Sequence, residues 1–325
     1  MGVTVKAQLK RYTFTESKMG SPFMIVMYCD DSLLADDLAK QSFKLIDSFI
    51  TIFSDYNNSS ELMQLNATAG LNAAPVKVSP ALLEILLLSK NAFDKSNGTF
   101  DITIGPLVKL WRRARKIKQL PDKEKIAAAK NLTGIKNLII NSVDKKVTLT
   151  KQGMSLDLGG IAKGWIAQKV IEFLRTKNVA NALADAGGDI AMSAAPEGTK
   201  GWTIGVNIPE RKEELLDQPL LLQNKAVATS GDAYQYIEWD GKRYSHIVNP
   251  HTGYGVTFQR NVTVIANDGA TADWLATACS ILSIKMAKKI AVKMNAELLI
   301  AENKKDKIVF YATKGFGQYW KPQKQ

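Results

Sequence analysis

Tyr234-Gln235-Tyr236-Ile237-Glu238-Trp239-Asp240-Gly241-Lys242-Arg243-Tyr244-Ser245-His246-Ile247-Val248 carries the strongest short-range fold signal in the chain. Two β-rich runs flank Asp240-Gly241, a pair suited to the left-handed backbone of a two-residue turn, so the stretch reads as an antiparallel hairpin. Outward from it, Lys6 to Thr15, Pro22 to Cys29, Ala182 to Met192, Thr203 to Ile208, Val262 to Ala266, Leu298 to Ala301 and Ile308 to Ala312 read as strands. Leu138 to Ile140 with Lys146 to Thr150 reads as a further hairpin. Ser32 to Phe53 and Trp165 to Leu174 carry helical spacing. Ser79-Pro80 is an N-cap with a first-turn proline and opens a helix to Ser96, and Pro121-Asp122 starts a short charged one. Strands and helices interleave without a repeat or a low-complexity linker. The expectation is an α+β fold: one large domain over 1–325, with a mixed or antiparallel sheet and flanking helices.

Composition narrows the function classes. Of 325 residues, 46% are hydrophobic and 23% charged, as in an ordinary globular protein, and the net charge of +12 asks for an anionic partner. The lysines are scattered, which argues against nucleic acid. One dense run, Lys109 to Lys118, reads as a helix with Leu107, Leu110, Trp111 and Ala114 inward and arginines toward water. That face is either simply solvated or a docking surface for an acidic target or an anionic membrane. Cys29 and Cys279 sit in apolar runs and read as buried single thiols. No apolar stretch reaches the roughly 18 residues of a membrane span. Residues 1–5 read as a leader or cloning remnant, without the apolar core of a signal peptide.

Three stretches carry chemistry. In Asp157-Leu158-Gly159-Gly160-Ile161-Ala162-Lys163-Gly164-Trp165 a double glycine leads into a helix whose free N–H groups, with Lys163 beside them, form an anion site; the alternative is a plain strand-to-helix turn. In Asn267-Asp268-Gly269-Ala270-Thr271-Ala272-Asp273-Trp274-Leu275-Ala276-Thr277, Thr271 is the expected N-cap and Asp273 falls in the first turn, where a carboxylate is favoured without any function. Asp273 and Thr277 are also one turn apart, so their oxygens share a face suited to Mg²⁺. Thr229-Ser230-Gly231-Asp232 precedes Ser245-His246-Ile247-Val248-Asn249-Pro250-His251-Thr252-Gly253, which holds the chain's two histidines. A zinc pair of His246 and His251 lacks further ligands at metal-site spacing.

Taken together, these stretches resemble the ApbE family of FAD:protein FMN transferases over nearly the whole chain. The resemblance rests on Met19-Gly20-Ser21, Phe53-Ser54-Asp55-Tyr56 with Ser60-Glu61, and Gly98-Thr99-Phe100-Asp101-Ile102-Thr103-Ile104-Gly105-Pro106-Leu107. It continues through the double-glycine turn, Asp185-Ala186-Gly187-Gly188-Asp189, the Ser245 to Gly253 run and Thr271-Ala272-Asp273. Ser21 stands where the family carries threonine. The resemblance implies a metal, Mg²⁺ with Mn²⁺ as the alternative, held by the Gly160 carbonyl, Asp273 and Thr277, with the Ala270 carbonyl an addition. It implies FAD lined by Met19, Tyr56, Thr99, Phe100, Asp101, Asp157, Lys163, His246 and Ile247. The implied reaction attaches FMN to a Thr or Ser hydroxyl through a phosphodiester and releases AMP. Mg²⁺ and Lys163 would neutralise the pyrophosphate, with Asp273 the carboxylate at the cation; His246, whose ordinary pKa is near neutrality, is the candidate base. The implied acceptors are membrane-bound flavoprotein subunits of redox-driven ion pumps with an Asp-x-Ser/Thr-Gly-Ala-Thr-like motif. The implied location is the periplasm or cell envelope, with peripheral membrane association or a lipid anchor. An FAD pyrophosphatase and a non-catalytic flavin-binding protein are the rival readings.

Overall fold

The computed structural model describes residues 9–70, 72–207, 216–231, 235–305 and 307–320. The leader reading at 1–5, the ends of the expected strands at 6–8 and 208, and Asp232 and Tyr234 lie outside the described residues.

The chain opens with a hairpin of β1 (Lys10–Lys18) and β2 (Ser21–Cys29), turned by Met19 and Gly20 at φ 51° and 74°. Helix α1 (Ser32–Phe53) is capped by Asp31, whose carboxylate accepts the Leu33 N–H at 3.0 Å. α2 (Glu61–Ala67) and α3 (Pro80–Ser96) are capped by Ser60 and Ser79, and β3 (Val76–Lys77) lies between them. α4 (Gly105–Ile117) and α5 (Lys123–Asn131) lead to the hairpin β4 (Leu138–Asn141) and β5 (Lys146–Leu149), which β3 joins as a third strand. After α6 (Ala162–Thr176) come β6 (Ala182–Ala186), β7 (Ile190–Met192), β8 (Trp202–Ile204), β9 (Leu220–Leu222) and β10 (Ala226–Gly231). The opening hairpin of the sequence reading is β11 (Tyr236–Trp239) and β12 (Lys242–Ser245), with Asp240 and Gly241 at φ 49° and 67°. β13 (Arg260–Ala266), α7 (Gly269–Ile281), α8 (Ile284–Lys293), β14 (Glu297–Lys304) and β15 (Lys307–Ala312) complete the described chain.

The main sheet runs β1-β2-β6-β7-β10-β13-β14-β15, antiparallel at every step and in chain order. The fold is therefore α+β with antiparallel sheets, as expected. Because side chains alternate across a strand, each strand serves two cores. Ile25, Met27, Ala184, Ala228, Val264 and Ile300 pack toward helices α1, α6 and α7. Val26, Leu183, Val227, Ile265 and Leu299 face the β8–β9 pair and Phe316. The helix-side face is rich in alanine, and that lets α6 and α7 lie close to the sheet and to each other. Both cysteines are buried and unpaired.

Two readings need correction. Ala182 to Met192 is not one strand: Gly187 and Gly188, at φ 71° and 99°, fold it into the β6–β7 hairpin. α7 starts three residues earlier than a cap at Thr271 would give. Asp268 is the N-cap and its side chain accepts the Thr271 N–H at 2.8 Å. Asp273 therefore lies past the first turn of α7, and its carboxylate meets the first turn of α6 instead, at the Gly164 N–H.

Candidate active site

The site forms where the starts of α6 and α7 cross. A Cβ placed on Gly164 would stand 2.1 Å from the Gly269 carbonyl oxygen and 2.7 Å from the Asp273 Cβ, so only glycine admits this approach. It brings the Asp273 carboxylate onto the Gly164 N–H at 3.0 Å. Gly160 faces Thr277: a Cβ there would lie 3.0 Å from Thr277 Oγ1 and 3.2 Å from the Phe100 ring. Gly160, Asp273 and Thr277 thus come together, with Ala270 buried on the same first stretch of α7.

Asp273 is buried, and its pKa is pushed up to about 8, first by burial and then by the neighbouring Asp189. Lys163 forms an ion pair with Asp189 and also feels Asp273 and Asp185. Burial lowers the Lys163 pKa, but these carboxyls raise it further, so the ammonium stays charged. Lys163 at the expected anion site is therefore already paired, with Asp189. Lys163 is thus the one ammonium acting against the Asp189, Asp273 and Asp185 carboxyls. A buried carboxylate, a hydroxyl one turn on and an adjacent backbone carbonyl are hard oxygen donors that fit Mg²⁺. Among the described residues no three His, Cys, Asp or Glu side chains cluster as a metal group, so a cation here would rely on Thr277 and carbonyl oxygens.

The remaining expected residues lie on segments packed around this crossing. The Met19–Gly20 turn lies beside the β6–β7 turn, since a Cβ on Gly187 would come within 2.6 Å of the Ser21 Cβ. Thr99, Phe100 and Asp101 are buried, with the Phe100 ring 6.0 Å from that of Trp274. Asp101 turns into its own loop, accepting the Thr103 N–H at 2.8 Å and its hydroxyl at 2.7 Å. That segment is anchored to the glycine turn by the Asp157 N–H, which donates to the Ile102 carbonyl at 2.8 Å. The Asp157 carboxylate accepts the Gly159 N–H at 2.8 Å, and burial and Asp55 push its pKa up to about 6. Tyr56 stands 76% exposed.

His246 follows β12, and Ile247 beside it is buried, its N–H donating to Ser245 Oγ at 3.0 Å. The His246 Nδ1 lies 3.2 Å from the Gln235 carbonyl, a geometry that places the ring proton on Nδ1 and leaves Nε2 as the acceptor. Burial, then the charge of Arg115, lowers its pKa to about 4, with Lys163 adding to the effect. The ring is neutral near pH 7. Its loop is fixed from outside by Trp111, whose indole N–H donates to the Gly253 carbonyl at 2.8 Å.

With this geometry in place, the comparisons decide the family. A family model described as "ApbE family" matches residues 19–300. The chain belongs to the ApbE family. An FAD:protein FMN transferase of Klebsiella pneumoniae (strain 342) is 34% identical over 81% of this chain and 79% of that one. The ApbE protein of Thermotoga maritima superposes with a TM-score of 0.86 at 28% identity, covering 96% of this chain and all (100%) of that one. The flavin transferase ApbE from Vibrio cholerae gives a TM-score of 0.84 at 26% identity, covering 96% and 99%.

Reading the sequence as an ApbE-family chain located the glycine turn and the α7 oxygens but missed their surroundings. Asp189 and Asp185 lie in a motif to which the sequence assigns no role, yet they are the groups that face Lys163. The Lys109 to Lys118 run is not simply a solvated face. Lys109, Arg113 and Lys116 are exposed, but Arg112 turns in to pair with Asp55 at 2.8 Å. Nothing local in the sequence marks that pairing, which spans half a helix and a distant loop.

Proposed function

We propose that this ApbE-family transferase cleaves FAD at its pyrophosphate and joins the FMN half to a Ser or Thr hydroxyl of an acceptor flavoprotein, releasing AMP. The observation that carries the reading is the buried Asp273, held by the Gly164 N–H beside Gly160 and Thr277, in a pocket with more carboxyls than cations. Such a pocket has no use for an unpaired acid but suits a divalent cation with a diphosphate on its open side. Asp273, Thr277 and the Gly160 carbonyl would hold Mg²⁺, or Mn²⁺ in its place, with the Ala270 carbonyl nearby. When bound, the cation supplies charge neutralisation to the pyrophosphate.

The chain's own residues supply the rest. Lys163 holds a positive charge beside the pyrophosphate and is aimed by Asp189. His246 Nε2 accepts the proton of the acceptor hydroxyl as its oxygen bonds to the FMN phosphorus. The bond from that phosphorus to the bridging oxygen breaks, and AMP leaves with the electron pair. Neutralisation of Arg115 and Lys163 by an incoming phosphate removes the charges that depress His246 and makes it a better base. The proposed acceptors are membrane flavoprotein subunits carrying an Asp-x-Ser/Thr-Gly-Ala-Thr-like segment, a reading that the family resemblance supports.

The test is to incubate the protein with FAD, Mg²⁺ and an acceptor peptide of that motif and weigh the products. Peptide heavier by FMN less one water, with AMP formed in equal amount, is expected. Free FMN with AMP and unmodified peptide would make the protein a pyrophosphatase, and unchanged FAD would make it a flavin binder.

A further inference from the structure

Tyr56 is 76% exposed, yet one face of its ring is covered: the Arg112 guanidinium carbon sits 4.2 Å from the ring centroid. The guanidinium is held in turn by Asp55 at 2.8 Å and Asp157 at 3.9 Å. Three separate elements converge on this stack. Asp55 and Tyr56 follow α1, Arg112 lies midway along α4, and Asp157 leads into the Gly159-Gly160 turn. A surface tyrosine usually gains little from being pinned, because its ring keeps its freedom in water. Here the inner face rests on an anchored cation and the outer face is left open toward solvent. A guanidinium behind a phenol ring is a planar support that an ammonium cannot reproduce.

We propose that Arg112 is a positioning residue that holds Tyr56 as a stacking platform for a planar heteroaromatic ring of the flavin dinucleotide. The inference rests on the proposed function and deepens it by naming the residue that presents the ring. The shared chemistry is a flat heteroaromatic ring on the open face of Tyr56, in line with the guanidinium below. Its source is the isoalloxazine or the adenine, the two such rings of FAD. Through Asp157 the same guanidinium is linked to the residue that leads into the glycine turn.

The experiment titrates FAD into the full chain without acceptor, following quenching of flavin fluorescence, and uses FMN and AMP as separate competitors. Five proteins are compared: wild type, Arg112→Met, Arg112→Lys as the conservative replacement, Tyr56→Ala and the Arg112→Met/Tyr56→Ala double variant. Arg112→Met is expected to weaken FAD binding about tenfold and to reduce quenching, with Arg112→Lys recovering less than half of the loss. In the Tyr56→Ala background, Arg112→Met is expected to have little further effect, because its action passes through that ring. A parallel loss for FMN with AMP unchanged assigns the isoalloxazine; the reverse assigns the adenine. Unchanged FAD affinity in Arg112→Met, or an equal loss with and without Tyr56, would overturn the proposal. Either result leaves the transferase reading standing, since that is judged by the FMN adduct of the wild-type protein.

Discussion

Gly164 and Gly269 touch backbone to backbone where α6 crosses α7: a Cβ on Gly269 would stand 2.0 Å from the Gly164 carbonyl oxygen. No side chain fits between the helices at that point. The crossing sets the distance from the glycine turn to Asp273, so packing and site are one feature.

Gly164→Ala is therefore expected to force the helices apart and move Asp273. Overpacking of this kind costs about 1–3 kcal/mol. In a chain of this size that lowers Tm by about 1.5–4.5 °C. Calorimetry checks the stability, and AMP release from FAD, expected to fall sharply, checks the site.

Asp273→Asn separates stability from function. With its pKa raised to about 8, the folded Asp273 keeps a proton that the unfolded chain, ionising near the ordinary 3.8, has lost. Its effect on stability is most favourable below about pH 4 and declines as pH rises toward 8. Asparagine, an uncharged isostere, removes that decline. Urea unfolding at pH 5 and pH 8 is expected to show a smaller difference for the variant than for the wild type. Mg²⁺ is expected to raise Tm of the wild type alone, and transfer by the variant is expected to fall by more than about a hundredfold.

His246 titrates in the opposite sense. Its folded pKa is lowered to about 4 from 6.5, so the unfolded chain takes up a proton between these values that the fold refuses. Its contribution is complete above about pH 6.5 and is lost as pH falls toward 4. The acid limb of kcat/KM is expected near pH 4, since that parameter reports the free enzyme. His246→Ala is expected to lose transfer about a hundredfold or more even at saturating FAD.

Asn66 supports the extended segment entering the glycine turn. Its side-chain amide donates to the Leu156 carbonyl at 3.0 Å and its carbonyl accepts the Leu156 N–H at 2.7 Å, both buried. Asn66→Ala leaves both backbone groups unpaired at about 1–3 kcal/mol each. Chemical denaturation is expected to show a loss of about 3 kcal/mol.

What was legible in the sequence was whatever has a local cause. Ser79-Pro80 marks the start of α3 because the serine side chain accepts the Leu82 N–H and proline needs no partner there. Asp240-Gly241 marks its hairpin because both residues tolerate positive φ. The α7 start was misplaced because Asp268 and Thr271 are both good caps, and only the fold decides between them. α2 and α8 went unread, though Ser60 and Ser283 cap them; each is short, and a short helix gives little periodicity. The site was legible as motifs, and the resemblance arranged them. The ion pairs of Lys163 with Asp189 and of Arg112 with Asp55 were not, because they join residues that chain order keeps apart.

Diffraction from crystals soaked in Mn²⁺ and FAD bears most directly on the cation seat, because manganese can be placed by its anomalous signal. The expected result is a peak bonded to the Asp273 carboxylate, Thr277 Oγ1 and the Gly160 carbonyl, with the FAD pyrophosphate completing its shell. A peak elsewhere, or FAD bound with its pyrophosphate turned away from Asp273, would contradict the account.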